Sequence, residues 1–151
     1  MNTAGGPPMR YLITGGSGFL GRNLVRYLLD RGHAVRILDL VSLDYPDVND
    51  RVDAITGDIR NAGTARTACE GMDVVVHFAG YIDVAEAHSD PDLYYRKNLA
   101  EPSMMLDRMT TTGVRNLVFS STAAVYGEQE RMPITEDART HPIDSHGASK
   151  L

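Results

Sequence analysis

The 151 residues include one cysteine, Cys69, so no intrachain disulfide can form. No CxxC or His/Cys spacing marks a zinc site, and the pattern predicts no metal centre. Cys69 lies on a segment of helical spacing and reads as a small buried or half-buried thiol rather than a nucleophile. No apolar run approaches the roughly 18–20 residues of a membrane span. The opening Met1-Asn2-Thr3-Ala4-Gly5-Gly6-Pro7-Pro8 has neither a charged n-region nor an apolar h-region, which argues against a signal peptide. Residues 1–9 read as a flexible tail. No basic stripe appears, and 15 basic against 20 acidic residues leave a net charge of -5, which argues against nucleic-acid binding. Repeats and low-complexity tracts are also lacking. What remains is the expectation of a soluble, cytoplasmic protein of ordinary composition, with 42% hydrophobic and 23% charged residues. A chain of this length makes one domain burying roughly 68–70% of its extended-chain surface.

The chain alternates between two periodicities. Arg10-Tyr11-Leu12-Ile13-Thr14 is a buried strand, and Phe19 to Arg31 places Leu20, Leu24, Val25, Leu28 and Leu29 at helical spacing, ended by Gly32. Ala34–Asp39 is a second strand, and a polar loop covers Ser42 to Asp50. Val52–Thr56 is a third strand, and Asn61 is a plausible N-cap for a helix running to Glu70 and closed by Gly71. Asp73–Phe78 contains a β-branched run suited to a strand buried on both faces. Asp90 to Thr112 reads as a long helix ended by Gly113, and Val114–Ser120 as a fifth strand. Pro102 inside that helix predicts a kink near Asn98–Glu101, two shorter helices being the alternative. Strands alternating with helices imply an α/β fold, a Rossmann-type doubly wound parallel sheet of order 3-2-1-4-5 over residues 10–151. Its ligand crevice is expected at the carboxyl ends of strands one and four.

The chemistry starts at Thr14-Gly15-Gly16-Ser17-Gly18-Phe19-Leu20-Gly21. Glycine loops alone are weak evidence, but this one follows a strand and opens an amphipathic helix. Gly15 suits the tight turn, Gly18 lets backbone approach a diphosphate, and Gly21 lets the helix pack close to the strand. Amides at the helix start then face phosphate oxygens. No Lys-Ser or Lys-Thr follows, which excludes a nucleoside-triphosphate loop. Asp39 ends the second strand 18 residues beyond Gly21, where a carboxylate accepts from both hydroxyls of an adenosine ribose and repels a 2′-phosphate. That favours NAD over NADP as the cofactor; the bland reading is an aspartate capping the next turn. A phosphate- or flavin-binding domain is disfavoured by Asp39 and the closing Lys150.

These residues, in this order, resemble the extended short-chain dehydrogenase/reductases, in the branch of nucleotide-sugar epimerases and dehydratases. The glycine loop carries the resemblance together with Gly57-Asp58-Ile59-Arg60, His77-Phe78-Ala79-Gly80, Tyr94, Tyr95 and Asn98. It continues through Phe119-Ser120-Ser121-Thr122-Ala123-Ala124-Val125-Tyr126-Gly127 and Gly147-Ala148-Ser149-Lys150. The run at His77–Gly80, with Glu86 and Pro91 after it, is most similar to the UDP-glucose 4-epimerase group. The resemblance implies cofactor-binding roles for Gly15, Gly18, Phe19, Leu20 and Gly21. It further implies that Asp58 and Ile59 flank the adenine, and that Phe78, Ala79 and Gly80 bring backbone to the ribose and diphosphate. Asn98 would brace the site, Thr122 would orient the sugar hydroxyl being oxidised, and Lys150 would bind the nicotinamide ribose and act on the neighbouring acid/base. The implied partner is a nucleotide sugar, UDP-linked.

The departures from the family are specific. His146 stands where the family has its acid/base tyrosine, four residues before the lysine. A phenol titrates near pH 10 and an imidazole near neutrality, so His146 can take a proton as a neutral base, but from a shorter ring that cannot become an anion. Glu101-Pro102 replaces small residues, and Ile82 stands where the most similar sequences carry a lysine. Relatives continue with further strands and a substrate domain, so the expectation is a domain incomplete at its carboxyl end. An exposed fifth strand and an uncovered apolar helix face are expected to follow, with a homodimer through the 90–112 helix. The functions in contention are thus hydride-transfer chemistry on a nucleotide sugar and an NAD-holding module that turns over poorly.

Overall fold

The computed structural model describes residues 6–81 and 90–151. In chain order its main elements are β1 (Arg10–Thr14), α1 (Phe19–Leu29), β2 (Ala34–Asp39), β3 (Val52–Thr56), α2 (Ala62–Cys69) and β4 (Val74–His77). Then follow α3 (Pro91–Tyr95), α4 (Glu101–Thr112), β5 (Asn116–Phe119) and α5 (Ser145–Lys150). Two compact units result: Met1–Ala79 with Met104–Phe119, and Gly80–Ser103 with Ser120–Leu151. Ile82 and Glu86, singled out in the sequence, lie outside the described residues. Among the described residues no helix is long and apolar enough to cross a membrane.

The first unit is built on a five-stranded parallel sheet of order β3-β2-β1-β4-β5, the doubly wound arrangement expected from the alternation. Strand periodicity sorts its core into two clusters. Leu12, Leu38 and Val75 point to one face, where they pack with Ala65, Ala68 and Cys69 of α2 and Met105 and Met109 of α4. Ile13, Val35, Ile37, Val74 and Val76 point to the other, against Val25, Leu28 and Leu29 of α1. Helices therefore cover both faces, which is why β4 is buried along its whole length. The Cys69 thiol sits 3.4 Å from the Met105 sulfur, and burial pushes its pKa up to about 11. That is the chemistry of an inert core residue.

Boundaries differ from the sequence reading where side chains or backbone bonds intervene. α1 ends at Leu29 rather than Arg31; Asp30 and Arg31 enter the closing turn, and Gly32, at φ +80°, carries the His33 amide back to the Leu28 carbonyl. Asn61 does cap α2, accepting from the Thr64 amide at 3.0 Å. β5 begins at Asn116, because the Val114 amide donates to the Met109 carbonyl and belongs to the turn closing α4. All four β5 residues are exposed at the sheet edge. The Ser42–Asp50 segment is less polar in place than in composition, since Tyr45 and Val48 are buried in the α1-side core.

The long helix is neither cleanly kinked nor split by a loop. A π-helical turn, Arg96–Ala100, joins α3 to α4 directly before Pro102, and the Glu101 amide reaches back to the Arg96 carbonyl. Proline removes one amide and crowds the carbonyl four residues earlier, and widening one turn relieves both.

Two helical glycines show opposite constraints. A Cβ on Gly21 would stand 2.5 Å from the Gly15 carbonyl oxygen and 2.6 Å from the Gly16 Cα, both backbone atoms. On Gly63 in α2 the nearest atom is the Asn61 Oδ1 at 3.4 Å, an ordinary contact. Gly21→Ala is therefore expected to cost about 1–3 kcal/mol through forced displacement. Gly63→Ala is expected to be neutral or to stabilise by up to about 1 kcal/mol through helix propensity. Urea denaturation of the two variants checks the pair; equal effects would contradict the packing described.

Candidate functional site

The glycine loop is shaped by what surrounds it before any ligand is considered. Gly15 takes φ +70°, and a Cβ there would lie 2.7 Å from the Ala79 nitrogen and 2.9 Å from the Phe78 carbonyl carbon. The end of β4 thus presses directly on the loop. The Phe78 amide donates to the Thr14 carbonyl at 3.0 Å, extending the β1–β4 ladder by one residue, and the Ala79 amide donates to the Thr14 hydroxyl at 3.4 Å. Gly16, given no role from the sequence, is equally constrained: its Cβ would fall 2.5 Å from the Ile37 side chain. Gly18 is different. It is the N-cap of α1 in extended conformation, and a Cβ there meets only the Gly15 carbonyl oxygen at 3.3 Å. No side chain caps α1 among the described residues, and Phe19 and Leu20 are 82% and 55% exposed. An uncapped amino terminus on an 11-residue helix presents donor amides and a positive dipole end, a donor set suited to a diphosphate.

Asp39 ends β2 beside this loop. One carboxylate oxygen accepts from the Ser17 amide at 2.9 Å and the other from the Val41 amide at 3.1 Å. It does cap the next turn, the bland reading of its position. A carboxylate has about four acceptor sites, so two bonds leave capacity for ribose hydroxyls. The Asp58 carboxylate accepts from the Arg60 amide at 2.8 Å and pairs with its guanidinium. Ile59 is buried in the α2-side core, so its side chain is committed to packing.

The second unit gathers the remaining candidates. Asn98 lies within the π turn, fully buried, with its Oδ1 accepting from the Tyr81 amide at 2.8 Å. Its Nδ2 donates to the Tyr81 carbonyl at 3.0 Å and the Ser149 hydroxyl at 3.1 Å. Gly80 is hemmed in by the same groups: its Cβ would be 2.9 Å from the Asn98 Oδ1 and 3.0 Å from the Lys150 Nζ. Lys150 is 5% exposed, and burial lowers its ammonium pKa from the ordinary lysine value. The Ser121 hydroxyl donates to the Lys150 carbonyl at 2.9 Å. Thr122 precedes the short 3-10 turn Ala123–Tyr126 and accepts from the Ala124 amide at 3.2 Å, an arrangement that still leaves its O–H to donate. α5 packs onto that turn through Gly147, whose Cβ would stand 2.6 Å from the Ala124 carbonyl oxygen.

His146 faces inward from α5. It is 7% exposed, its ring meets Tyr94 edge-on at 6.1 Å between centroids, and its Nδ1 makes no hydrogen bond among the described residues. One helical turn separates it from Lys150, so both side chains leave the same side of α5.

Several interactions escaped the sequence reading, although Thr14, His77 and Ser149 lie within its motifs. Thr14 and His77 form a buried hydrogen-bonded pair at 2.7 Å joining the ends of β1 and β4, and His77 stacks on Phe119. Tyr45 donates from its phenol to the Gly16 carbonyl at 2.8 Å. Ser149 and Tyr81 hold Asn98. A tyrosine amid aspartates and a proline carries no periodicity that would mark it as core. Among the described residues, no group of three or more His, Cys, Asp or Glu is arranged to hold a metal ion.

Known proteins share both the sequence and this architecture. UDP-glucose 4-epimerase of Azospirillum brasilense is 42% identical over 152 residues, spanning 99% of this chain and 43% of that protein. The Streptomyces lividans UDP-glucose 4-epimerase is 39% identical over 146 residues, 94% of this chain and 44% of its own length. The crystal structure of UDP-glucose 4-epimerase from Brucella ovis in complex with NAD superposes with a TM-score of 0.86 at 32% identity, covering 94% of this chain and 44% of that one. The chain thus spans under half the length of the relatives it matches. Residues 11–151 fit the NAD dependent epimerase/dehydratase family, and the chain belongs to that family.

Proposed function

We propose that this chain is the NAD-binding portion of a nucleotide-sugar epimerase or dehydratase that acts at a ring hydroxyl of a UDP-linked sugar. The observation that carries the reading is the amino end of α1, free of a side-chain cap and flanked by the Asp39 carboxylate. UDP-glucose 4-epimerases among the relatives, and neighbours crystallised with NAD, support it.

In this reading Gly15, Gly18, Phe19, Leu20 and Gly21 hold the diphosphate through backbone, and Asp39 accepts from the adenosine ribose. Asp58 and the Ile59 backbone flank the adenine, while Phe78, Ala79 and Gly80 offer backbone to ribose and diphosphate. NAD, when bound, supplies the reversible uptake of hydride that no side chain can perform. Thr122 orients the sugar hydroxyl by hydrogen bonding, and His146 takes the hydroxyl proton on a neutral imidazole nitrogen. Lys150, steadied beside Asn98 and Gly80, binds the nicotinamide ribose.

A second reading is favoured by His146 itself. Its ring is buried against Tyr94 and is shorter than the phenol of the family. A chain so built holds NAD while turning over slowly. Calorimetry with NAD and NADP, followed by assay of a panel of UDP-sugars, separates the cases. NAD is expected to bind at least about tenfold tighter than NADP, a difference of about 1.4 kcal/mol. Product formation lost in Thr122→Val and Lys150→Ala supports catalysis. Binding without turnover, with activity gained in His146→Tyr, supports the holding module, and absence of NAD binding refutes both.

The 90–112 helical segment is also proposed to mediate a homodimer, since Met104 and Leu106 of α4 are exposed. Sedimentation at micromolar concentration is expected to show a dimer, and a monodisperse monomer would remove the proposal.

A further inference from the structure

The bonds around the glycine loop fall into a pattern that the family assignment does not address. Two successive peptide groups, Gly16–Ser17 and Ser17–Gly18, are each held at both ends. The Gly16 carbonyl accepts from the Tyr45 phenol at 2.8 Å, while the Ser17 amide on the same peptide donates to Asp39 at 2.9 Å. The Ser17 carbonyl accepts from the Arg22 Nε at 3.0 Å, while the Gly18 amide donates to the Gly15 carbonyl at 3.1 Å. A peptide fixed at its carbonyl and its amide cannot flip without breaking both bonds.

The groups that hold the carbonyls also hold each other. Tyr45 is 1% exposed, and the Arg22 guanidinium lies over its ring at 4.4 Å from the centroid. Arg26, one turn further along α1, approaches the same ring at 5.5 Å and is tied to Asp47 by two bonds of 2.6 and 2.9 Å. Tyr45 itself is seated by its amide, which donates to the Asn49 side chain at 3.0 Å, and by its carbonyl, which accepts from the Val48 and Asn49 amides. The Ser42–Asp50 segment is therefore latched to the glycine loop from outside the motif.

We infer that Tyr45 and Arg22 are positioning residues that set the Gly16–Ser17–Gly18 backbone in its binding geometry before any dinucleotide arrives. The inference rests on the NAD-binding reading and deepens it. Glycine-rich backbone is costly to order, because glycine loses more conformational freedom than other residues. A loop already ordered by a buried phenol and a stacked guanidinium leaves less of that cost to the binding step. Two residues outside the motif thereby tune coenzyme affinity without needing to touch the coenzyme.

Tyr45→Phe tests this, since it keeps the buried ring and removes only the hydroxyl; Arg22→Lys keeps the charge and removes the Nε donor and the planar stack. Two readouts are taken on the folded variants, well below their melting temperatures. The first is amide hydrogen exchange by NMR without coenzyme, where Ser17 and Gly18 are expected to exchange at least about tenfold faster while Leu12 and Ile13 in β1 are unchanged. The second is the NAD dissociation constant, expected to rise about fivefold or more in each variant, with the double variant little worse than either. A purely structural role would lower melting temperature and leave affinity unmoved, and that outcome overturns the inference. Exchange at Ser17 and Gly18 unaltered from wild type also overturns it. If wild type binds no NAD, the coenzyme reading falls, and exchange alone then decides whether the latch exists.

Discussion

The steric condition at the carboxyl end of β1 governs the rest of this structure. Strand β4 comes so close to the first turn of the glycine loop that a single Cβ on Gly15 would overlap the Ala79 nitrogen, and one on Gly21 would overlap the loop's own backbone. Only glycine meets both conditions. That close approach brings the ends of β1 and β4 together and closes the buried Thr14–His77 bond. The loop leads into α1, which packs on the sheet with no side chain capping its amino terminus. The close backbone approach and the uncapped helix start are thus neighbouring features of the β1–α1 turn.

Much of this was legible because each feature leaves a periodic or compositional trace. Apolar runs of five or six residues alternating with segments of helical spacing could form few arrangements other than a doubly wound sheet, and the strand order followed. Gly15 and Gly21 were readable because a tight turn at one and a packing contact at the other exclude a side chain, whereas Gly18 is not closed off by its surroundings. Asp39 was readable from its position at a strand end. What stayed hidden depends on contacts distant in sequence. Tyr45 sits in a segment whose composition says loop, yet it is buried because Arg22 and Arg26 of α1 cover its ring. The π turn at Arg96–Ala100 could be located near Pro102 but not specified, since kink, break and widened turn answer the same missing amide. Ile59 shows the converse: its motif suggests a ligand contact, while its side chain serves the core.

The candidate residues of the second unit show how a small group can be held by very different means. Asn98 is fixed by three hydrogen bonds, two to the Tyr81 backbone and one to Ser149. Lys150 is fixed by burial, which weakens its hold on a proton. Thr122 is fixed as the cap of the turn that α5 packs against. His146 stands apart, with an edge-on aromatic contact and an Nδ1 that makes no hydrogen bond among the described residues.

In the proposed function, backbone amides at the start of α1, with Asp39, receive the diphosphate and adenosine ribose of NAD. Amide chemical-shift mapping on isotopically labelled protein tests it most directly. On addition of NAD the largest perturbations are expected at Gly18, Phe19, Leu20 and Gly21, with a second cluster at Asp39 and its neighbours. Perturbations confined elsewhere, or none at saturating coenzyme, would contradict the account.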